Sequence, residues 1–386
     1  MLMTEITEKD LLKTGPGMLA GRYLKTFWQP VYLSADLEKG KAKPVRVMGE
    51  NYTLYRGLSG KAHLVGARCA HRGAQLSAGW VEDDCIRCMY HGWMFDGTGQ
   101  CVEQPAEPPA FKERVKIPGF PTQEYLGLIF AWLGDGAPPP LPRYPWFEDE
   151  GVLEADTYLR YSNYFYTLDN HSDEVHVVFT HRNTNFSRAG IREVPSIEAE
   201  ETDYGLRLVA RYPNGNARAN QLLMPNLLMF KSSPAAGDQG FSDRAAWRVP
   251  QDDNTHLSFG IDLRHLKGDA AKRYRDAQAK QREQMKALKL EPVDVVARQI
   301  LAGHRGLEDE DILARPDLVN IQDCVAQMGQ PTVEEGPYEV LGRSDRGVIL
   351  YRNMWLRELS AMVEGRPLKR WHVPNALTTQ TGVMPN

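Results

Sequence analysis

From Pro44 onward the chain runs in short stretches where apolar and polar residues alternate, cut by turn residues. VRVMGENYTLYRG, with Gly49-Glu50-Asn51 as its turn, and KAHLVGARCAH are examples. Period-two alternation over so few residues predicts β-strands. CIRCMYHGWMFDGTGQCVEQP continues the texture around an Asp96-Gly97 turn, and LIFAWLG reads as the last strand of a small antiparallel β domain. Two proline-rich runs flank that strand, PAEPPAFKERVKIPGFP before it and DGAPPPLPRYPW after it. The second cannot join sheet or helix and predicts a boundary near Trp146. Beyond it come longer alternating stretches, SIEAEETDYGLRLVARY, QLLMPNLLMFKSS and AAWRVPQDDNTHLSFGIDLR, the last folding back at Asp252-Asp253-Asn254. They predict an antiparallel sheet with one buried face. GDAAKRYRDAQAKQREQMKALKL predicts a charged surface helix, LVNIQDCVAQMGQ a shorter one, and GRSDRGVILYRNMWLRELSAMVEG a long terminal one. Strands followed by helices among strands give an α+β fold. The division is an N-terminal segment 1–45, a small β domain 46–146 and a larger domain 147–386.

Composition changes this picture little. The 386 residues, 42% hydrophobic and 25% charged, fit a two-domain globular chain. A net charge of −4 gives no support to nucleic-acid binding. No run approaches a bilayer span, and MLMTEITEKDLLKTGPG has no apolar signal core, so a cytoplasmic location is expected. Five cysteines, four of them between Cys69 and Cys101, read as metal ligation in a reducing compartment.

The chemistry starts with two mixed pairs, Cys69-x-His71 and Cys88-x-x-His91, sixteen residues apart. Two thiolates for one iron and two imidazoles for the other are the ligands of a Rieske [2Fe–2S] cluster, a one-electron relay. A structural zinc site uses the same residue types, but zinc fingers pair Cys with Cys and His with His in sequence. Gly73, Gly79, Gly92, Gly97 and Gly99 suit tight loops around such a cluster. Cys85 and Cys101 read as free thiols packed in the domain.

A second constellation is Asp169, Asp173, His176 and His181. At ~100° per residue the first three share a helix face and His181 does not. For both histidines to bind one metal, the helix must end or bulge across Val177-Val178-Phe179-Thr180. Two histidines and one carboxylate are the ligand set of non-haem Fe(II) oxygenases. Asp323 is the chosen carboxylate, with Asp311 and Asp317 as rivals. Asp173 then orients His176, with helix capping as its simpler role. Lys231, Arg182 and Arg188 could meet a substrate carboxylate, though surface solvation is the plainer reading of each.

With C-x-H-x16-C-x-x-H at Cys69, His71, Cys88 and His91, and D-x3-D-x2-H-x4-H from Asp169 to His181, the chain resembles the catalytic α subunit of Rieske non-haem iron aromatic-ring oxygenases. TGPGMLAG, WQPV, PPPLPRY and EVLGRSDRGV resemble its phthalate-dioxygenase-like branch, which includes aryl-ether O-demethylases. PTVEEGPYEV departs from the family wording, and Asp169 stands where Asn is usual. The resemblance implies a helix-grip catalytic domain, a homotrimer and a separate NAD(P)H-dependent reductase with flavin and [2Fe–2S] groups, or one acting through a ferredoxin. It further implies that Asp173 bridges His176 to a cluster histidine of the neighbouring subunit, with His91 the choice. The expected activity is O₂-dependent oxidation of an aromatic acid or aryl ether, by ring hydroxylation or O- or N-dealkylation. The competing reading is a Rieske electron carrier fused to a ligand-binding domain without catalysis.

Overall fold

The computed structural model describes residues 6–184, 191–232, 242–336 and 338–374. Its first half is built from short antiparallel strands. One sheet runs Ala42–Val47, Glu50–Arg56, Ala62–Gly66 and Gly119–Phe120, and a second runs Trp80–Glu82, Cys85–Arg87, Met94–Phe95 and Cys101–Glu103. The first hairpin turns at Met48 and Gly49, both with positive φ, one residue earlier than its sequence implies. Two left-handed residues make the tight connection whose twist matches the flanking strands. A third sheet places Leu128–Ala131 between Gln29–Leu33 and Thr122–Tyr125.

The larger half is a seven-stranded antiparallel sheet. Its order is Val152–Arg160, His256–Arg264, Ser242–Pro250, Leu227–Ser232, Ala217–Leu223, Gly205–Arg211 and Ser196–Glu201. Alternation divides the three strands at its first edge into two faces. Odd-numbered Trp247, Val249, Phe259, Ile261 and Leu263 are buried hydrophobics, and Trp247 meets Phe130 of the three-stranded sheet edge to face at 5.5 Å. Even-numbered Asp156, Tyr158, Arg160, Arg244, Arg248 and Asp262 occupy the other face.

Helices close over the sheet. Arg346–Val363 buries Trp355 against Tyr23, Tyr164 and Phe165 at 5.0, 6.2 and 5.4 Å between ring centres. Tyr23 lies on the N-terminal helix Leu19–Leu24, so the start of the chain is fastened to the larger half. Leu318–Met328 packs on Val293–Leu301, a helix that the sequence reading passed over. Backbone bonds also join the two halves: the Met48 and Gly49 N–H groups donate to the Pro250 and Gln251 carbonyls at 2.8 and 2.7 Å.

Candidate active site

The first ligand group sits on two loops of matching construction. Cys69 N–H donates to Ala74 O and Gly73 N–H to Cys69 O, at 2.8 and 2.9 Å; Cys88 N–H donates to Trp93 O and Gly92 N–H to Cys88 O, at 2.8 and 3.1 Å. Gly73 and Gly92 hold φ of +70° and +72°, and a Cβ at Gly92 would stand 3.2 Å from Pro105 Cγ. Cys69 and Cys88 are 3% and 1% exposed, whereas His71 and His91 are on the surface. The two imidazoles lie 4.5 Å apart edge to face, and His71 stacks on Trp93 at 4.5 Å. Burial pushes the Cys69 thiol up to about 11, although the N–H groups of His71 and Arg72 oppose it. A bound cation is what makes such a sulfur a thiolate at neutral pH. Cys85 and Cys101 are free thiols, Cys101 buried with Phe95 and Trp93.

The second group departs from a continuous helix. Tyr164–Ser172 is capped by Asn163, whose side chain accepts from Phe165 N–H, and it ends where Asp173 turns extended. The Asp173 carboxylate accepts from Val175 N–H at 2.7 Å and His176 N–H at 3.3 Å, starting a separate short helix, His176–Phe179. The helix is therefore broken twice: at Asp173, where a short acceptor side chain captures the N–H groups that the helix would use, and again after Phe179, within the Val177–Thr180 run expected to separate the two histidines. Asp169 accordingly leaves the group, and its carboxylate meets Arg352 at 2.7 Å. Burial pushes Asp169 up to about 6 despite that partner.

The helix Leu318–Met328 brings Asp323 to the histidines. Ligand atoms of His176, His181 and Asp323 all lie within 4.8 Å of one another. Asp311 pairs with Arg305 and Asp317 with Arg315, so neither reaches the histidines. Gln322 Oε1 is 3.0 Å from His181 Nδ1, and Asp323 Oδ1 is 3.2 Å from His181 Nε2. A proton on Nδ1, donated to Gln322, leaves an Nε2 lone pair aimed at a carboxylate oxygen. Two acceptors in that opposition fit a cation between them. His176 Nδ1 is buried without a hydrogen-bond partner, 3.6 Å from Asp173 Oδ2. Burial pushes Asp323 up, but His181 and Arg160 hold its carboxyl below the usual range. Among the described residues, Cys69, His71, Cys88 and His91 do not reach the single-ion spacing of this triad, in keeping with a two-iron cluster.

A Rieske [2Fe–2S] domain model matches residues 27–123. The chain is 30% identical to the 5,5'-dehydrodivanillate O-demethylase oxygenase subunit of Sphingobium sp., covering 96% of this chain and 83% of that one. It is 29% identical to the phenoxybenzoate dioxygenase subunit alpha of Ectopseudomonas oleovorans, over 93% and 86% of the two chains. The chain belongs to the Rieske non-haem iron oxygenases, as a catalytic α subunit. Its fold matches the terminal oxygenase of carbazole 1,9a-dioxygenase from Novosphingobium sp. KA1, with a TM-score of 0.64, 20% identity and coverage of 86% and 93%. The small Rieske domain and larger sheet-and-helix domain expected from sequence are thus the family's architecture.

In this Rieske oxygenase the triad opens on a cavity of about 470 Å³. Leu228, Phe230 and Val177 form an apolar part of its wall, and Arg160, Arg248 and Tyr158 a polar part. Sequence reasoning missed both Gln322 and this polar wall. Of the basic residues it did raise, Arg182 pairs with Glu308 in solvent, while Arg188 and the Lys231 side chain lie outside the described residues. Among the described residues, no helix is long and apolar enough to cross a membrane.

Proposed function

We propose that the oxygenase receives electrons at a cluster held by Cys69, His71, Cys88 and His91 and oxidises an aromatic substrate beside an iron held by His176, His181 and Asp323. The observation that carries this is the triad, with His181 and Asp323 buried and His176 partly so, facing a substrate-sized cavity in a chain that also has a Rieske domain. The iron would supply O₂ binding and activation, and the cluster its single electrons. Gln322 fixes the His181 tautomer, and Asp173 orients His176 from its far side. Val177, Leu228 and Phe230 seat the ring and exclude water from it.

The division into segments 1–45, 46–146 and 147–386 goes with this reading, as does a homotrimer. In that assembly Asp173, half-buried beside His176, would meet a cluster histidine of the neighbouring subunit, His91 or its counterpart across the cluster. The exposed imidazoles of His71 and His91 support such a contact. A reductase drawing on NAD(P)H, directly or through a ferredoxin, would supply the electrons. Relatives named for dehydrodivanillate and phenoxybenzoate support an aromatic acid or aryl ether as substrate, oxidised by ring hydroxylation or dealkylation.

The test is metal content together with oxygen consumption. Protein loaded under anaerobic conditions is expected to hold about three irons per chain, two of them in the cluster. Reduced with an aromatic acid present, it is expected to take up O₂ and release a product changed by one oxygen, two hydroxyls or a lost CH₂. Cluster iron alone, with no uptake, would return the carrier reading.

A further inference from the structure

The polar wall of the cavity has a charge imbalance. Four arginines line it: Arg160, Arg218, Arg244 and Arg248. Arg218 has Glu174 at 3.1 Å, and Arg244 has Asp156 at 2.8 Å. Arg160 and Arg248 form no ion pair with a carboxylate among the described residues; the carboxylate whose charge reaches both is Asp323, the proposed iron ligand. Arg248 is 3% exposed; its Nε–H donates to His171 Nε2 at 3.0 Å, and its Nη1 is buried with no acceptor. Arg160 donates to the Tyr158 hydroxyl at 2.7 Å, and its Nε is likewise hidden without an acceptor. His171 is neutral, driven far below its ordinary value by burial and by the two guanidiniums.

The placement follows from strand alternation. Tyr158, Ser258 and Arg248 face one another across three neighbouring strands, and Arg160 stands two residues beyond Tyr158 on the same face. Leu228 lies opposite Ala246 and Phe230 opposite Arg244, so the apolar patch adjoins the arginines on that face. A buried guanidinium with an unused N–H and no carboxylate in contact is destabilising unless something else fills the need. Here the remaining neighbour is the cavity itself.

We propose that Arg160 and Arg248 form a carboxylate subsite, which holds an acidic substituent of the aromatic substrate while the ring lies between Leu228, Phe230 and the triad. This rests on reading the cavity as the substrate site. A planar carboxylate matches the guanidinium fork and takes up the N–H groups that Arg160 and Arg248 leave unused. The subsite also orients the ring, because an anchor at one end fixes which carbon or alkyl group approaches the triad. Burial and the neighbouring guanidiniums lower Arg248 to about 10, so it remains a cation at neutral pH.

The test is anaerobic calorimetry on iron-loaded enzyme with two probes of the same shape, 4-methoxybenzoate and 4-methoxybenzamide. The wild type is expected to bind the acid at least about tenfold tighter than the amide. Arg160→Gln and Arg248→Gln are each expected to erase that preference, and Arg248→Lys to keep part of it. Equal binding of the two probes by the wild type overturns the subsite without any variant. So does an acid that fails to bind at millimolar concentration, or a preference that survives in both Gln variants. Oxygen uptake with reductant reports separately. Acid preference without uptake removes the proposed reaction and leaves the subsite, while uptake without acid preference does the reverse.

Discussion

The two candidate metal-ligand groups of this chain are built in opposite ways. Cys69, His71, Cys88 and His91 lie close in sequence, on two loops with the same hydrogen-bond plan, and they present their imidazoles to solvent. His176 and His181 stand at either end of one short helix, and Asp323 joins them from a helix about 140 residues further on, the three closing around a cavity. Under the proposed function, the contrast follows from what each group would exchange. An electron port works at the surface, where a partner can approach within a few ångströms. A site that handles O₂ beside an organic substrate needs walls, since water inside would weaken every electrostatic contact.

The comparison breaks most visibly at the ligands themselves. Asp323→Ala should release the third iron and reduce turnover to background while the Rieske absorption and EPR signals stay as in the wild type. Wild-type iron content in this variant would move the carboxylate role elsewhere. Cys88→Ser should do the converse, abolishing the cluster spectrum while iron at the triad persists. Next in size is Asp173→Asn, which should lower turnover by about a hundredfold with both metal groups loaded. Unchanged single-turnover kinetics would leave Asp173 as a helix cap alone. Gln322→Leu should weaken iron binding at the triad by about tenfold, read by chelator competition, because His181 loses the acceptor that holds its tautomer.

The smallest effect concerns pH and the polar wall. Burial pushes the Tyr158 phenol up, but Arg160 and Arg248 pull it down further, to about 7. Above that pH its phenolate competes with a bound carboxylate for the same guanidiniums. Below it the phenol is neutral and the competition ends. Affinity for 4-methoxybenzoate should therefore fall as pH rises past about 7, by at most about tenfold per unit. Tyr158→Phe should flatten that dependence, and an equally steep profile in the variant would assign it to another group.

How much of this was legible in the sequence differs between the same two regions. The Rieske domain was readable because a local loop fixes the spacing of its two Cys/His pairs, whatever the rest of the chain does. His176 and His181 were readable for the same reason, but the face of Asp169 was not. Helical periodicity assumes an unbroken helix, and the Asp173 side chain ends it by capping the next one. Asp323 could be chosen from residue chemistry, yet nothing local separated it from Asp311 and Asp317. Their pairing with Arg305 and Arg315 is tertiary information. Arg160 and Arg248 were invisible as a pair. On an alternating strand a charged residue at every second position reads as a solvent face. Only the sheet order and the helices covering that face turn it into an interior.

The backbone bonds from Met48 and Gly49 to Pro250 and Gln251 act as a clasp between two hairpin tips. Tilting the small domain against the large sheet would break both of these bonds together, so the clasp favours one relative placement of the two.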